Sequence, residues 1–170
     1  MKRAIFIFML ILGTVSSFGR NRISETATVV ADTIFYAANE QGVGQAAQAA
    51  YYRLLLTQGT NSEKEDVFMD FFMNGTKKAE GGYNFVDLGN DKNTVYNGRV
   101  TTYYANGKEK LSGKYVNGKR EGYFTLHMRD GGIAVVQYEN GSSKYDYFLI
   151  TRTDGKQEKR PISEIRSLLQ

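Results

Sequence analysis

The sequence predicts a mainly β protein: an antiparallel β-hairpin meander sheet with one short N-terminal helix and a short C-terminal helix. The first observation behind this is Tyr103–Gly141, where four Asx-Gly pairs separate short runs rich in Tyr, Val, Phe and Thr. Those pairs are Asn106-Gly107, Asn117-Gly118, Asp130-Gly131 and Asn140-Gly141, and such a pair suits the two positive-φ positions of a type I′ hairpin turn. The second is spacing. Turn-forming glycines are expected at Gly75, Gly98, Gly107, Gly118, Gly131, Gly141 and Gly155, and those one hairpin apart lie 23 or 24 residues from each other. A fixed period of that size marks a repeat array, whose units bury their apolar faces by stacking on neighbours. The third is composition: 18 Gly and one Pro leave turn formation to Gly and Asx.

In chain order, Met1–Gly19 has the three parts of a secretory signal. Lys2 and Arg3 precede the apolar run Ala4–Gly13, and Ser17 and Gly19 fit the −3 and −1 positions of a cleavage site. The run is about half of the ~20 residues a membrane-spanning helix needs, so cleavage after Gly19 is expected. Residues 20–65 form a lead-in. Arg20–Thr28 is polar, and Val29–Ala37 reads as a first strand. Ala46–Leu56 is expected to be helical in its Ala-rich half, with Ala46, Ala49, Ala50 and Arg53 on one face. Tyr51–Thr57 fits either the last helical turns or a strand, and Gln58–Glu65 is a polar connector. The repeat sheet is expected over residues 66–159, interrupted by the loop Asp87–Asn93. In 160–170, Pro161 opens a short helix with Ile162, Ile165, Leu168 and Leu169 as its apolar stripe.

Hydrophobic residues make up 41% and charged residues 24% of the 170 positions, a balance typical of folded chains. The formal charge of +4 falls to +2 once Lys2 and Arg3 are removed. That is too little for nucleic-acid binding, which calls for a clustered basic face. With no cysteine, disulfides, thiolate metal sites and a cysteine nucleophile are excluded.

Asn117–Gly132, NGKREGYFTLHMRDGG, resembles a bacterial variant of the MORN repeat, the YwqK-type family labelled as a toxin–antitoxin antitoxin component. Gly118, Lys119, Gly122, Tyr123, Phe124 and Gly131 match its turn glycine, basic pair, second glycine, aromatic strand and closing turn. Val100–Gly118 resembles a second copy and Gly131–Gly155 a third, more diverged one. Asp66–Tyr83 is similar to the opening repeat of secreted members. The likeness spans roughly Asp66–Lys159 and implies a hairpin repeat sheet. Tyr123 stands where such repeats often carry Trp, which this chain lacks.

Catalytic groupings are sparse. His127 is the only histidine, and strand alternation places it with Tyr123 and Thr125 on the more polar face, opposite Phe124, Leu126 and Met128. None of Ser112, Ser142 and Ser143 lies in a Gly-x-Ser-x-Gly elbow. Asp87, Asn90, Asp91 and Asn93 offer oxygen ligands but not the spacing of a calcium loop. No cofactor or metal is therefore expected. Tyr103, Tyr115, Tyr123, Tyr138 and Tyr147 recur on successive strands, and Tyr combines a large rigid area with a polar tip. These five are the candidate partner-binding face. The functional expectation is an exported, periplasmic, outer-membrane-associated or secreted repeat scaffold, non-enzymatic, that binds an unknown protein partner. Peripheral association with membrane lipid is a weaker alternative, since the charge is near neutral, and an envelope-polymer hydrolase using His127 is a third.

Overall fold

The computed structural model describes residues 29–59 and 64–169, so the signal segment Met1–Gly19 and the leader Arg20–Thr28 lie outside the described residues. The described residues form one antiparallel sheet of twelve strands. They are β1 (Val29–Tyr36), β2 (Gly42–Val43), β3 (Tyr51–Gly59), β4 (Lys64–Phe72), β5 (Lys77–Phe85) and β6 (Val95–Tyr103). The second half adds β7 (Glu109–Val116), β8 (Lys119–His127), β9 (Ile133–Glu139), β10 (Ser142–Ser143), β11 (Tyr147–Thr151) and β12 (Gln157–Pro161). Spatial order follows chain order closely, β12-β11-β9-β8-β7-β6-β5-β4-β3-β1-β2, with β10 paired to β9. The predicted meander and its first strand are therefore found.

Both predicted helices are absent. Ala46–Gln48 makes a single 3₁₀ turn without a side-chain cap, and Tyr51–Gly59 is a strand. Alanine's helix preference amounts to tenths of a kcal/mol per residue. Here it competes with a nine-residue ladder to β4 on one side and pairing with β1 on the other. At the C-terminus only Ile162–Glu164 is helical, as a 3₁₀ turn, and Pro161 ends β12. The apolar stripe still docks: Ile165 and Leu169 are buried, Ile162 is half-buried and Leu168 is exposed.

The reversals fall into two classes, one at each end of the sheet. Asn117-Gly118 and Asn140-Gly141 have both residues at positive φ, as a two-residue type I′ turn requires. At the other end Asn74-Gly75, Asn106-Gly107, Asp130-Gly131 and Asp154-Gly155 put only the glycine there. In each of these the Asx carboxyl or amide oxygen accepts the N–H two residues on. Ala37–Gln41 is built the same way, with Asn39 bonded to the Gln41 N–H and Glu40 at φ 68° in the glycine's place.

Gly98 departs from expectation. It lies inside β6 at φ 86°, in a bulge where residues 97–99 face Gly82, and not at a reversal. The 23-residue step from Gly75 to Gly98 thus joins non-equivalent places. Equivalent turns are Gly107, Gly131 and Gly155, each 24 residues from the next.

Register defines two faces. One row runs Ile34, Arg53, Asp70, Ala79, Thr102, Leu111, Leu126, Ala134, Ile150, each opposite the next. This face is covered at both ends. Over the C-terminal strands, Ile165 and Leu169 close a core of Leu111, Phe124, Leu126, Ala134, Val136, Phe148 and Ile150. Over the N-terminal strands, the loop from Val86 to Thr94 folds back to the edge strand β2. Gly42 N donates to Gly89 O at 2.8 Å, Asp91 N donates to Glu40 O at 2.9 Å, and Gln41 bridges Asn90. Gly42 admits no side chain, because a Cβ would lie 2.1 Å from Leu88 O. An aromatic ladder joins the two ends: Phe68–Tyr96, Tyr96–Tyr115, Tyr115–Phe124 and Phe124–Tyr138, with centroids 5.0–5.4 Å apart. Such pairs add about 0.5–1.5 kcal/mol each beyond their buried area.

Candidate functional site

The most heavily buried polar group belongs to the covered face. Arg53 and Asp70 are 0% and 1% exposed and face each other across β3 and β4. Arg53 Nε and Nη2 donate to the two Asp70 oxygens at 2.7 and 2.8 Å, and Nη1 donates to Asp91 Oδ1 at 2.6 Å and Thr94 Oγ1 at 3.0 Å. Tyr51 OH donates to Asp91 Oδ2 at 2.5 Å. The guanidinium also lies 4.4 Å from the centre of the Phe68 ring. Burial works against the Arg53 charge, but hydrogen bonding and attraction from Asp70, then Asp91, hold its proton more tightly than usual. Burial pushes the Asp70 carboxyl up, opposed by the same two bonds. Burial likewise pushes the Tyr36 hydroxyl up to about 12 and raises Tyr51 and Tyr96. With its donors and acceptors met and no opening to solvent, this centre anchors the Val86–Thr94 loop and offers no substrate access.

The sequence missed it. Arg53 belonged to an expected helical face, whereas strand alternation puts it with Tyr51 and Leu55 under the loop. No period-two signal marks its side: Tyr51–Leu56 is apolar at both alternating sets apart from Arg53 itself. The loop oxygens considered for a cation serve the loop itself. Asp87 accepts from Gly89 N, Asn90 N and Asn93 Nδ2, and Asn90 caps the short 3₁₀ turn through Lys92 N. Among the described residues no cluster of three or more metal-ligating side chains occurs.

The opposite face is uneven: Leu56, Val67, Thr101 and Ser112 on it are 4–8% exposed, while Tyr123 and Leu149 over the C-terminal strands are 68% and 46% exposed. Its central row is Thr33, Leu54, Met69, Glu80, Thr101, Ser112, Thr125, Val135, Leu149. The five candidate tyrosines divide between the two faces. Tyr115 and Tyr138 belong to the covered ladder, where Arg120 bonds both hydroxyls and the Leu169 carbonyl. Tyr103, Tyr123 and Tyr147 lie on the open face. Tyr103 donates to Glu80 Oε1, and burial followed by this bond pushes its hydroxyl up to about 12. Tyr123 is 68% exposed. Tyr147 stacks on Tyr145 at 5.0 Å and carries Lys159 Nζ 4.5 Å from its ring centre. Leu149 and Ile133 are exposed beside them at 46% and 38%.

Two shallow hollows, of about 640 and 410 Å³, meet on this face at Arg99. Each sits at a strand bulge: residues 97–99 against Gly82, and 122–124 against Gly113. His127 lies on the same face as read from its alternation, half-exposed, with Nε2 3.8 Å from Glu109 Oε1. Ser112 is buried beneath Arg99 and accepts its Nη2 at 3.2 Å, while Ser142 and Ser143 lie exposed in β10.

No family model, curated protein or solved structure matches the chain.

Proposed function

We propose that the protein is an exported, non-enzymatic repeat scaffold of MORN-like type that binds a protein partner through the open face of its sheet. One observation carries the reading: the two faces are unlike. The covered face is packed under the Val86–Thr94 loop and Ile165–Leu169, while the other presents Tyr123, Ile133 and Leu149 to solvent. Exposed large apolar side chains gathered on one sheet face favour a protein-binding surface. The absence of any grouping that joins a nucleophile to His127 among the described residues supports a binding role over hydrolysis.

The test is capture from the native cell envelope with Tyr123→Arg and Leu149→Glu as controls. The reading predicts a partner retained by the wild type and lost with both variants. Recovery of no partner, together with measured turnover of a small substrate, contradicts it. Export is checked by mass spectrometry of the mature protein, which is expected to begin at Arg20.

A further inference from the structure

We propose that Asp32 guards the outer edge of β1, where its carboxylate keeps a second copy of this chain from adding a strand to the sheet. The edge and the open face are separate surfaces, so the guard acts whatever the open face binds.

β1 is an edge strand over most of its length. β2 pairs with it only at Phe35 and Tyr36, so the outer side of Val29–Ile34 meets no strand among the described residues. An unpaired edge is a template for another chain unless something blunts it. The far edge, β12, carries Glu158, Lys159, Arg160 and Pro161, whereas Asp32 is the single charged residue of VVADTIFY. Protection of the β1 edge therefore falls to one side chain and its surroundings.

Backbone direction fixes which groups an incoming strand would meet. Ala37 N donates outward to Gln41 O at 2.8 Å, while Tyr36 O accepts from Ala50 N at 2.8 Å on the β3 side. Inward and outward residues alternate along a strand, so Phe35 and Thr33 turn their polar groups outward. Phe35 is met by Val43 of β2. The Thr33 N–H instead donates to Asp32 Oδ1 at 2.7 Å. The donor that would continue a new ladder past β2 is thus occupied from within the chain.

Side-chain placement adds a second obstacle. Asp32 lies opposite Leu55 and two residues before Ile34, on the covered side of the sheet, where Leu55 packs against Ile34, Tyr36 and Tyr51. It is exposed, and it has no ion pair among the described residues. The carboxylate keeps its water because no strand lies beyond it. A strand added here would bury that charge beside an apolar cluster, which is strongly unfavourable without a partner cation. A second copy of β1 brings another Asp32 and no basic residue. The register shift between Val30 and Asp32 further breaks the line of the edge.

The experiment is sedimentation velocity of the mature protein and three variants over a wide concentration range. Wild type is expected to stay monomeric. Asp32→Val, which removes both the cap on Thr33 and the charge, is expected to self-associate with a Kd at least about tenfold below that of wild type. Asp32→Lys loses the cap but keeps a charge at the edge, and is expected to remain monomeric. Adding Thr33→Pro to Asp32→Val removes the outward N–H without touching the ladder to β3, and is expected to abolish the association. Circular dichroism of each variant is expected to match wild type. Equal association of wild type and Asp32→Val, whether both monomeric or both associated, overturns the proposal. So does association of Asp32→Val that persists in a folded Thr33→Pro double variant, because the contact then lies elsewhere.

Discussion

Arg53 is the residue whose replacement tells most about the covered face. Its single positive charge is shared by Asp70 and Asp91 in a buried site, with Lys78 Nζ 4.0 Å from Asp70 as the second cation, and removing one partner of such a group leaves buried charge uncompensated. Arg53→Met is expected to cost about 3–5 kcal/mol in urea unfolding. Replacing Arg53, Asp70 and Asp91 together by apolar residues is expected to recover much of that loss. A cost below about 1 kcal/mol for the single change would mean that the three groups are hydrated.

Tyr36, Tyr51 and Tyr96 make a second residue-scale prediction. Their hydroxyls are raised in the folded state, so above the ordinary value of 10.0 the unfolded chain loses these protons first. Stability is then complete below that pH and falls as pH rises through the window up to about 12 for Tyr36. The decline is at most about 1.4 kcal/mol per pH unit for each tyrosine. Tyrosinate absorbance from these residues should appear only together with loss of the circular dichroism signal. All 12 tyrosines titrating near pH 10 with the sheet intact would contradict their placement.

Among the elements, the five matching turns allow a comparison within one molecule. Four carry glycine at the left-handed position, and Ala37–Gln41 carries Glu40 there at φ 68°. Glu40→Gly should therefore stabilise the protein by about 1 kcal/mol, and Gly107→Ala should destabilise it by a similar amount. The exposed Glu40–Lys92 pair at 3.7 Å offsets little of the first effect. Denaturation midpoints moving in the same direction for both changes would refute the shared geometry.

These turns also mark how far sequence reasoning reached. Asx-Gly pairs are local signals, so six of the seven glycines were placed at reversals without any knowledge of packing. Gly98 was misplaced because a positive-φ glycine serves a strand bulge as well as a turn, and only the partner strand distinguishes them. Ala46–Leu56 failed for a related reason. Its local preference is helical, while its structure is dictated by β1 and β4, which are remote in sequence from its alanines. The split of the five tyrosines was hidden in the same way, because bulges shift the alternation that a plain strand would keep.

At the scale of the whole molecule, the sheet has one edge capped at Phe35 and Tyr36 and one edge charged. β2 meets the loop at Gly89 and Asn90, and β12 carries Glu158, Lys159, Arg160 and Pro161, residue types that discourage pairing with another chain. Pairing is thereby discouraged at β12 and at the Phe35–Tyr36 end of β1, where β2 pairs, and the C-terminal part of the open face is the exposed surface. The central claim is that this face is bare in the isolated protein and occupied in its native setting. The absence of native cysteine makes the measurement clean. Single cysteines are placed at Thr125, Val135 and Leu149 on the open face and at Leu126 and Ala134 beneath the C-terminal cover, and thiol labelling rates are read for each. The account predicts fast labelling of the first three in purified protein, slow labelling of the same three in the native envelope, and slow labelling of the last two in both. Slow labelling of Thr125, Val135 and Leu149 variants in the purified protein, or no protection of them in the envelope, would contradict it.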